Sequence, residues 1–210
     1  MYLVKTPILI SKLMSKSLIW KIPTNEKIIY LTFDDGPIPN LTMEILAILA
    51  DYQAKATFFC VGENAKNYPE LIHRIQKDGH LIGNHSHNHL SGWKTPAKDY
   101  INNVKKASEY IDSYLFRPPY GQINYQQIKH LKDDYRIIMW NILSGDFDKQ
   151  LSNEQCLFNV LQSKAGDIVV FHDNEKSREK VLDVLPQYLA HFTKLGYEFC
   201  SLTPLLKTKK

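Results

Sequence analysis

The chain has 210 residues, 44% apolar and 23% charged, with nine Gly and ten Pro; this is one soluble-type domain with a sizeable core, not a disordered, collagen-like or low-complexity chain. No uninterrupted apolar stretch approaches the ~18 residues that a spanning helix needs. The net charge of +4 sits at the ends, since residues 1–27 carry five Lys against one Glu and residues 201–210 three Lys, while residues 28–200 carry eighteen basic and twenty-one acidic side chains; a nucleic-acid binder concentrates its Lys and Arg on a face of the core, so no nucleic-acid partner is expected.

At the amino end the longest wholly aliphatic run is Ile8-Leu9-Ile10, too short for the ~7–15-residue heart of a signal peptide. Together with Cys60, Cys156 and Cys200, an odd set without CxxC spacing, this makes a cytoplasmic location with reduced thiols the expectation. Ile10, Leu13, Met14 and Leu18 recur at helical spacing among Lys residues. They suit an amphipathic helix; the segment is expected to be a helix or strand that packs on the barrel, or a basic amphipathic segment that touches an anionic membrane surface.

From residue 27 onward, short β-like runs alternate with amphipathic stretches. Strands are predicted over 27–33, 56–61, 80–83, 136–140, 167–171 and 196–200. Helices are predicted over 41–52, 69–78, 97–114, 125–132, 153–163 and 178–195, with Gly79 stopping the second. Such alternation argues for an α/β fold with a parallel sheet, open or closed into a barrel. No Pro-, Gly- or Ser-rich linker and no internal repeat divides the chain.

Polar clusters follow or flank these apolar runs: Asp34-Asp35-Gly36-Pro37, the run His85 to His89, Arg117 to Gly121, Ser144-Gly145-Asp146, and His172-Asp173. Chemistry in βα barrels gathers at the carboxyl ends of the strands. Taken alone, Asp-Asp-Gly-Pro reads as a solvated turn. Successive residues at a strand end nevertheless point in different directions, so one carboxylate can hold a metal while its neighbour takes a proton from water. His85 and His89, four apart, share a face if their segment is helical; His87 falls on the other side. Two imidazoles and one carboxylate form a metal set with open positions. A lone Arg117 reads more often as a surface or ion-pair residue and a lone Asp146 as a turn residue, while a lone His172 reads equally well as a structural residue.

Together these segments resemble the polysaccharide deacetylases of the NodB homology type, carbohydrate esterase family 4. Thr32-Phe33-Asp34-Asp35-Gly36-Pro37 is similar to the family's TFDDGP segment, His85 to His89 to its H-S/T-x-x-H segment, and Arg117-Pro118-Pro119-Tyr120 to its R-x-P-Y segment. Trp140 with Asp146, and Val170-Phe171-His172, resemble the fourth and fifth motifs. Phe147 stands where the family often has Trp, and Val170 where many members have Leu.

The resemblance covers roughly residues 28–200 and implies a distorted (β/α) barrel with fewer than eight parallel strands. The implied division is an N-terminal extension over 1–27, a catalytic domain over 28–203 and a basic tail over 204–210. It also implies one divalent cation, zinc or alternatively cobalt or manganese, on Asp35, His85 and His89. Asp34 would be the base toward water, Arg117 would orient Asp34, and the Tyr120 backbone N–H would stabilise the oxyanion. His172, held by Asp146, would protonate the leaving amine. Trp140, Phe147, Val170 and Pro119 would line the substrate pocket. The implied activity is hydrolysis of N-acetyl groups on an N-acetylated carbohydrate. An O-acetyl esterase or non-sugar amidase on the same metal site stays open, as does a silent glycan-binding protein.

Overall fold

The structure, a computed structural model, describes residues 4–7 and 14–206. In chain order it runs β1 (Leu18–Ile19), β2 (Ile28–Asp34), α1 (Leu41–Asp51), β3 (Thr57–Cys60), α2 (Gly62–Asn67), α3 (Pro69–Lys77), β4 (Leu81–Asn84) and α4 (Ala97–Ala107). It continues through β5 (Leu115–Phe116), α5 (Tyr125–Leu131), β6 (Arg136–Ile138), β7 (Ile142–Leu143), α6 (Asn153–Val160), β8 (Ile168–His172), α7 (Arg178–Lys194) and β9 (Glu198–Cys200).

All strand pairs are parallel, in the order β1-β6-β5-β4-β3-β2-β8-β7, with β9 added beside β2. Strands β6 and β7 are separated by only Met139, Trp140 and Asn141, yet β6 pairs with β5 and β7 with β8 at the far end of the sheet. One bent segment therefore curls the sheet round on itself. The expected distorted (β/α) barrel forms, although its path holds eight strands because β1, β5 and β7 are two-residue pieces.

The alternation of side chains along a strand sorts the core into two layers. On β2, Ile29, Leu31 and Phe33 pack outward with helix residues such as Leu46, Leu185 and Tyr188. Tyr30 packs inward with Phe59, Leu115, Ile138 and Ile168, so Thr32 and Asp34 share that inward face. The same alternation on β8 sends Val169 and Phe171 outward and Ile168, Val170 and His172 inward. Helices α5 and α6 start at capping boxes, Asn124 with Gln127 and Ser152 with Gln155, which satisfy two otherwise orphaned N–H groups each.

Gly83 on β4 is required by packing. A Cβ there would lie 2.5 Å from the Phe59 ring, and that ring carries the Arg117 guanidinium at 4.2 Å. Gly83→Ala is expected to destabilise the fold by about 1–3 kcal/mol through overpacking, read as a lowered urea midpoint at unchanged slope.

One expectation needs correction. The helix predicted over 97–114 ends at Ala107; buried Ile111 prolongs the apolar pattern past the point where the backbone turns toward β5. Of the two forms open to the segment through Leu18, the strand is found at Leu18–Ile19, paired with Ile137 and Ile138; Ile10 and Leu13 lie outside the described residues, as do Lys207, Lys209 and Lys210. Residues 203–206 form a 3-10 turn. Among the described residues no helix is long and apolar enough to cross a membrane.

Candidate active site

The polar clusters meet at the carboxyl ends of the strands. Asp34, the last residue of β2, lies directly beside His172 of β8 in register. Arg117, just past β5, is wholly buried. Its Nη1 donates to Asp34 Oδ1 at 2.7 Å and to Thr32 Oγ1 at 2.8 Å, and its Nη2 donates to the Met139 carbonyl at 3.2 Å. Burial pulls the guanidinium down from its ordinary value and Asp34 opposes that pull. A buried charge needs such partners.

Asp35 turns away from its neighbour through a left-handed backbone, φ 81°. Its Oδ1 lies 3.0 Å from His89 Nε2 and 3.6 Å from His85 Nε2. Asn174 Nδ2 donates to its Oδ2, and Asn64 Nδ2 donates to its carbonyl at 2.9 Å. Burial alone would raise its pKa, but the hydrogen bond with His89 and the neighbouring His172 and His85 hold it well below the usual carboxylate range.

His85 and His89 do converge, but not on a helix. Their segment is a loop, bent by left-handed residues at Ser86 (φ 61°) and His89 (φ 53°). Non-Gly residues in that region are strained and cluster at functional sites. His85 Nδ1 bonds the Arg117 carbonyl at 2.8 Å, which makes Nδ1 the donor and leaves the Nε2 lone pair toward Asp35. Burial lowers the His85 pKa to about 4, so the imidazole is neutral at pH 7. His89 Nδ1 lies 3.1 Å from the Tyr120 hydroxyl.

One ligand atom from each of Asp35, His85 and His89 lies within 4.8 Å of the other two. An ionised carboxylate and two imidazoles with Nε2 inward fit a divalent cation with positions left open. His87 is turned elsewhere, stacked on Tyr110 at 5.7 Å. His85→Ala or His89→Ala is therefore expected to lower bound metal to a small fraction of one equivalent, whereas His87→Ala keeps it, as elemental analysis after dialysis will show. Tyr120→Phe removes a partner of a ligand and is expected to weaken metal affinity by about 10-fold, the low end for such outer contacts, measured by competition with a chelating dye.

On the other side of Asp34, His172 Nδ1 meets Asp146 Oδ1 at 2.7 Å, and the His172 N–H donates to Asp146 Oδ2 at 2.7 Å. Asp146 is fully buried. Burial pulls the His172 pKa down, but the Asp146 charge and hydrogen bond prevail and push it up to about 9. Phe147 meets the His172 ring edge to face at 4.9 Å.

Trp140 sits 5.8 Å from the Arg117 guanidinium and packs against Gly121. Val170 is buried on the inward face of β8, one step below His172 and opposite Thr32. Pro119 is buried at the start of the turn that presents Tyr120, whose φ is 59°. A hollow of about 510 Å³ lined by Val4, Leu151, Phe158 and Asn159 among others includes none of these side chains. Thr32 stands in the Thr32-to-Pro37 segment but was given no role of its own, and Asn174 and Asn64 were not singled out in the sequence; only Asn174, two residues past His172, stands close enough to a motif to be found there.

Residues 21–134 match the family model described as polysaccharide deacetylase. A peptidoglycan-N-acetylglucosamine deacetylase of Bacillus cereus is 35% identical over 90% of this chain and 93% of its own. A chitooligosaccharide deacetylase of Azorhizobium caulinodans is 31% identical over 73% of this chain and 77% of its own. Among solved structures, a peptidoglycan N-acetylglucosamine deacetylase in complex with 4-naphthalen-1-yl-N-oxidanyl-benzamide superposes with a TM-score of 0.87 at 30% identity, covering 98% of this chain and 99% of that one.

Proposed function

Since the chain belongs to the polysaccharide deacetylase family, we propose that it hydrolyses the N-acetyl groups of an N-acetylated glycan, yielding acetate and a free amino sugar. The observation that carries this reading is the pairing of two buried ion pairs at adjacent strand ends. Arg117–Asp34 and Asp146–His172 face one three-donor cluster. Environments that keep one group a base and its neighbour an acid assign their roles.

Asp35, His85 and His89 hold a divalent cation, zinc in the first instance with cobalt or manganese also suited to the donor set; when bound it supplies Lewis acidity toward a carbonyl and toward water. Asp34, fixed by Arg117, takes the proton from the attacking water. The Tyr120 N–H, which no acceptor among the described residues takes up, donates to the oxygen that becomes negative as the amide carbon turns tetrahedral. His172 delivers its proton to the departing nitrogen as the C–N bond breaks. An amine leaves poorly unless protonated, so an imidazole whose protonated form is favoured by Asp146 suits an amide substrate. Trp140, Phe147, Val170 and Pro119 supply apolar walls for the acetyl methyl.

The test is acetate release by cation-loaded protein from N-acetylglucosamine oligomers, peptidoglycan and acetylated xylan. Release from the first two is expected. Release from acetylated xylan alone would establish the ester reading instead. No release from folded, loaded protein on any of them would favour a silent binder.

A further inference from the structure

Asp35 is held at two points by side chains to which the mechanism above gives no part. Asn64 Nδ2, from α2, donates to its main-chain carbonyl at 2.9 Å. Asn174 Nδ2, from the loop after β8, donates to its Oδ2. The other carboxylate oxygen, Oδ1, is the one that meets His89 Nε2 at 3.0 Å and His85 Nε2 at 3.6 Å. The two oxygens of one carboxylate thus have separate partners. Oδ1 completes the three-donor cluster, and Oδ2 is engaged by an amide.

Chemistry fixes which way the Asn174 amide points. Its Oδ1 accepts from the Ser177 N–H at 3.1 Å and from Ser177 Oγ at 3.1 Å. A main-chain N–H can only donate, so the oxygen lies on that side and the NH2 group on the side of Asp35. The turn that carries Asn174 is anchored at both ends. Before it, the Asp173 N–H donates to the Asp34 carbonyl at 2.7 Å, and the buried Asp173 carboxyl accepts from Thr42 Oγ1 at 2.6 Å. After it, Ser177 is fully buried, and Arg178 ties Glu175 to Glu44 of α1 at 3.0 Å and 2.8 Å. A donor placed this firmly fixes the carboxylate it faces, as the outer partners of metal ligands generally do.

We propose that Asn174 is a positioning residue that sets the cation preference of the site: by holding Asp35 Oδ2 it restricts the carboxylate to a single oxygen, Oδ1, in the metal set. This rests on the metal site put forward under the proposed function. One oxygen and two imidazole nitrogens are three protein donors, the number of a zinc site with a position left open. A carboxylate free to offer both oxygens adds a further hard donor and raises the coordination number. Oxygen-rich sets of higher coordination suit manganese better than zinc, and a change between one and two carboxylate oxygens is a common way for a protein to alter that number. The Asn174 amide opposes the second oxygen contact, and so favours zinc over the larger and harder ion.

The test measures Zn²⁺ and Mn²⁺ dissociation constants for wild type, Asn174→Ala and Asn174→Ser by competition with chelating dyes, without substrate. Serine still offers an oxygen to the Ser177 N–H, as good caps do, but has no amide, so it separates the support of α7 from the contact with Asp35. Both variants are expected to bind Zn²⁺ about tenfold more weakly and Mn²⁺ as tightly as wild type or more so. The ratio of the two constants therefore shifts by about tenfold or more toward Mn²⁺. The visible absorption of the Co²⁺-loaded protein is the second readout, because tetrahedral Co²⁺ absorbs strongly and octahedral Co²⁺ weakly; it is expected to fall in both variants. Equal losses for the two ions with an unchanged Co²⁺ spectrum, or no loss for either, would overturn the proposal and leave Asn174 as a support of its loop. Folded wild type that binds none of the three ions would overturn the metal site, and this proposal with it.

Discussion

Asp34→Asn is expected to lower turnover by about 10²–10⁴-fold, the range for removing a positioned general base, while the protein still binds one equivalent of cation. The two outcomes separate because the neighbouring carboxylates have different partners. Asp35 faces His85 and His89; Asp34 receives Arg117. The substitution also leaves Arg117 buried without its counter-charge. Breaking a buried pair costs about 3–5 kcal/mol, and the bonds Arg117 keeps to Thr32 and Met139 place this variant at the lower end of that range. Metal content, acetate release and urea unfolding on one preparation check all three parts. Retained activity would remove Asp34 from the mechanism, and lost metal would show that it is a ligand.

Asp146→Asn is expected to move the basic limb of the kcat/KM profile to lower pH by about one to two units. The sign follows from the partners of His172. Asp146 raises its pKa to about 9 against the opposing effect of burial, so the proton is present below that value and lost as pH rises through it. A cation nearby moves the limb down in both proteins and leaves the difference between them. Without the Asp146 carboxylate the pull of burial is opposed only by the smaller contributions of Asp35 and Asp34, and the imidazole titrates closer to its ordinary value of about 6.5. Each unit of that fall reduces the protonated fraction about tenfold wherever the pH lies above both values. An amide donor facing Nδ1 also selects the wrong tautomer, which adds to the loss. Profiles of both proteins with the same cation give the answer; superimposable basic limbs would contradict the assignment of His172 as the acid.

Much of this site is legible in the residues before any coordinates. The Asp-Asp pair at the end of an apolar run places two carboxylates on different sides, and the structure puts Asp34 inward and Asp35 toward the His pair. The long strands and helices show in their periodicity because each buries a whole face. What the sequence does not reveal is local backbone choice. The approach of His85 to His89 looks helical by spacing, yet it depends on left-handed Ser86 and His89, a conformation that neither residue type announces. Strands β1, β5 and β7 have two residues each, too few for a period of two to appear. Asn64 of helix α2 and Asn174 of the loop after β8 reach Asp35 from separate elements, and a lone Asn carries no signal of what lies across from it.

The most direct measurement is acetate release from chitopentaose by one preparation taken through three states: loaded with zinc, stripped by a chelator, and reloaded. The account predicts release in the first state, its loss in the second and its return in the third, with the fold retained throughout by circular dichroism. Release that survives complete removal of the cation, or none from folded and loaded protein, would contradict it.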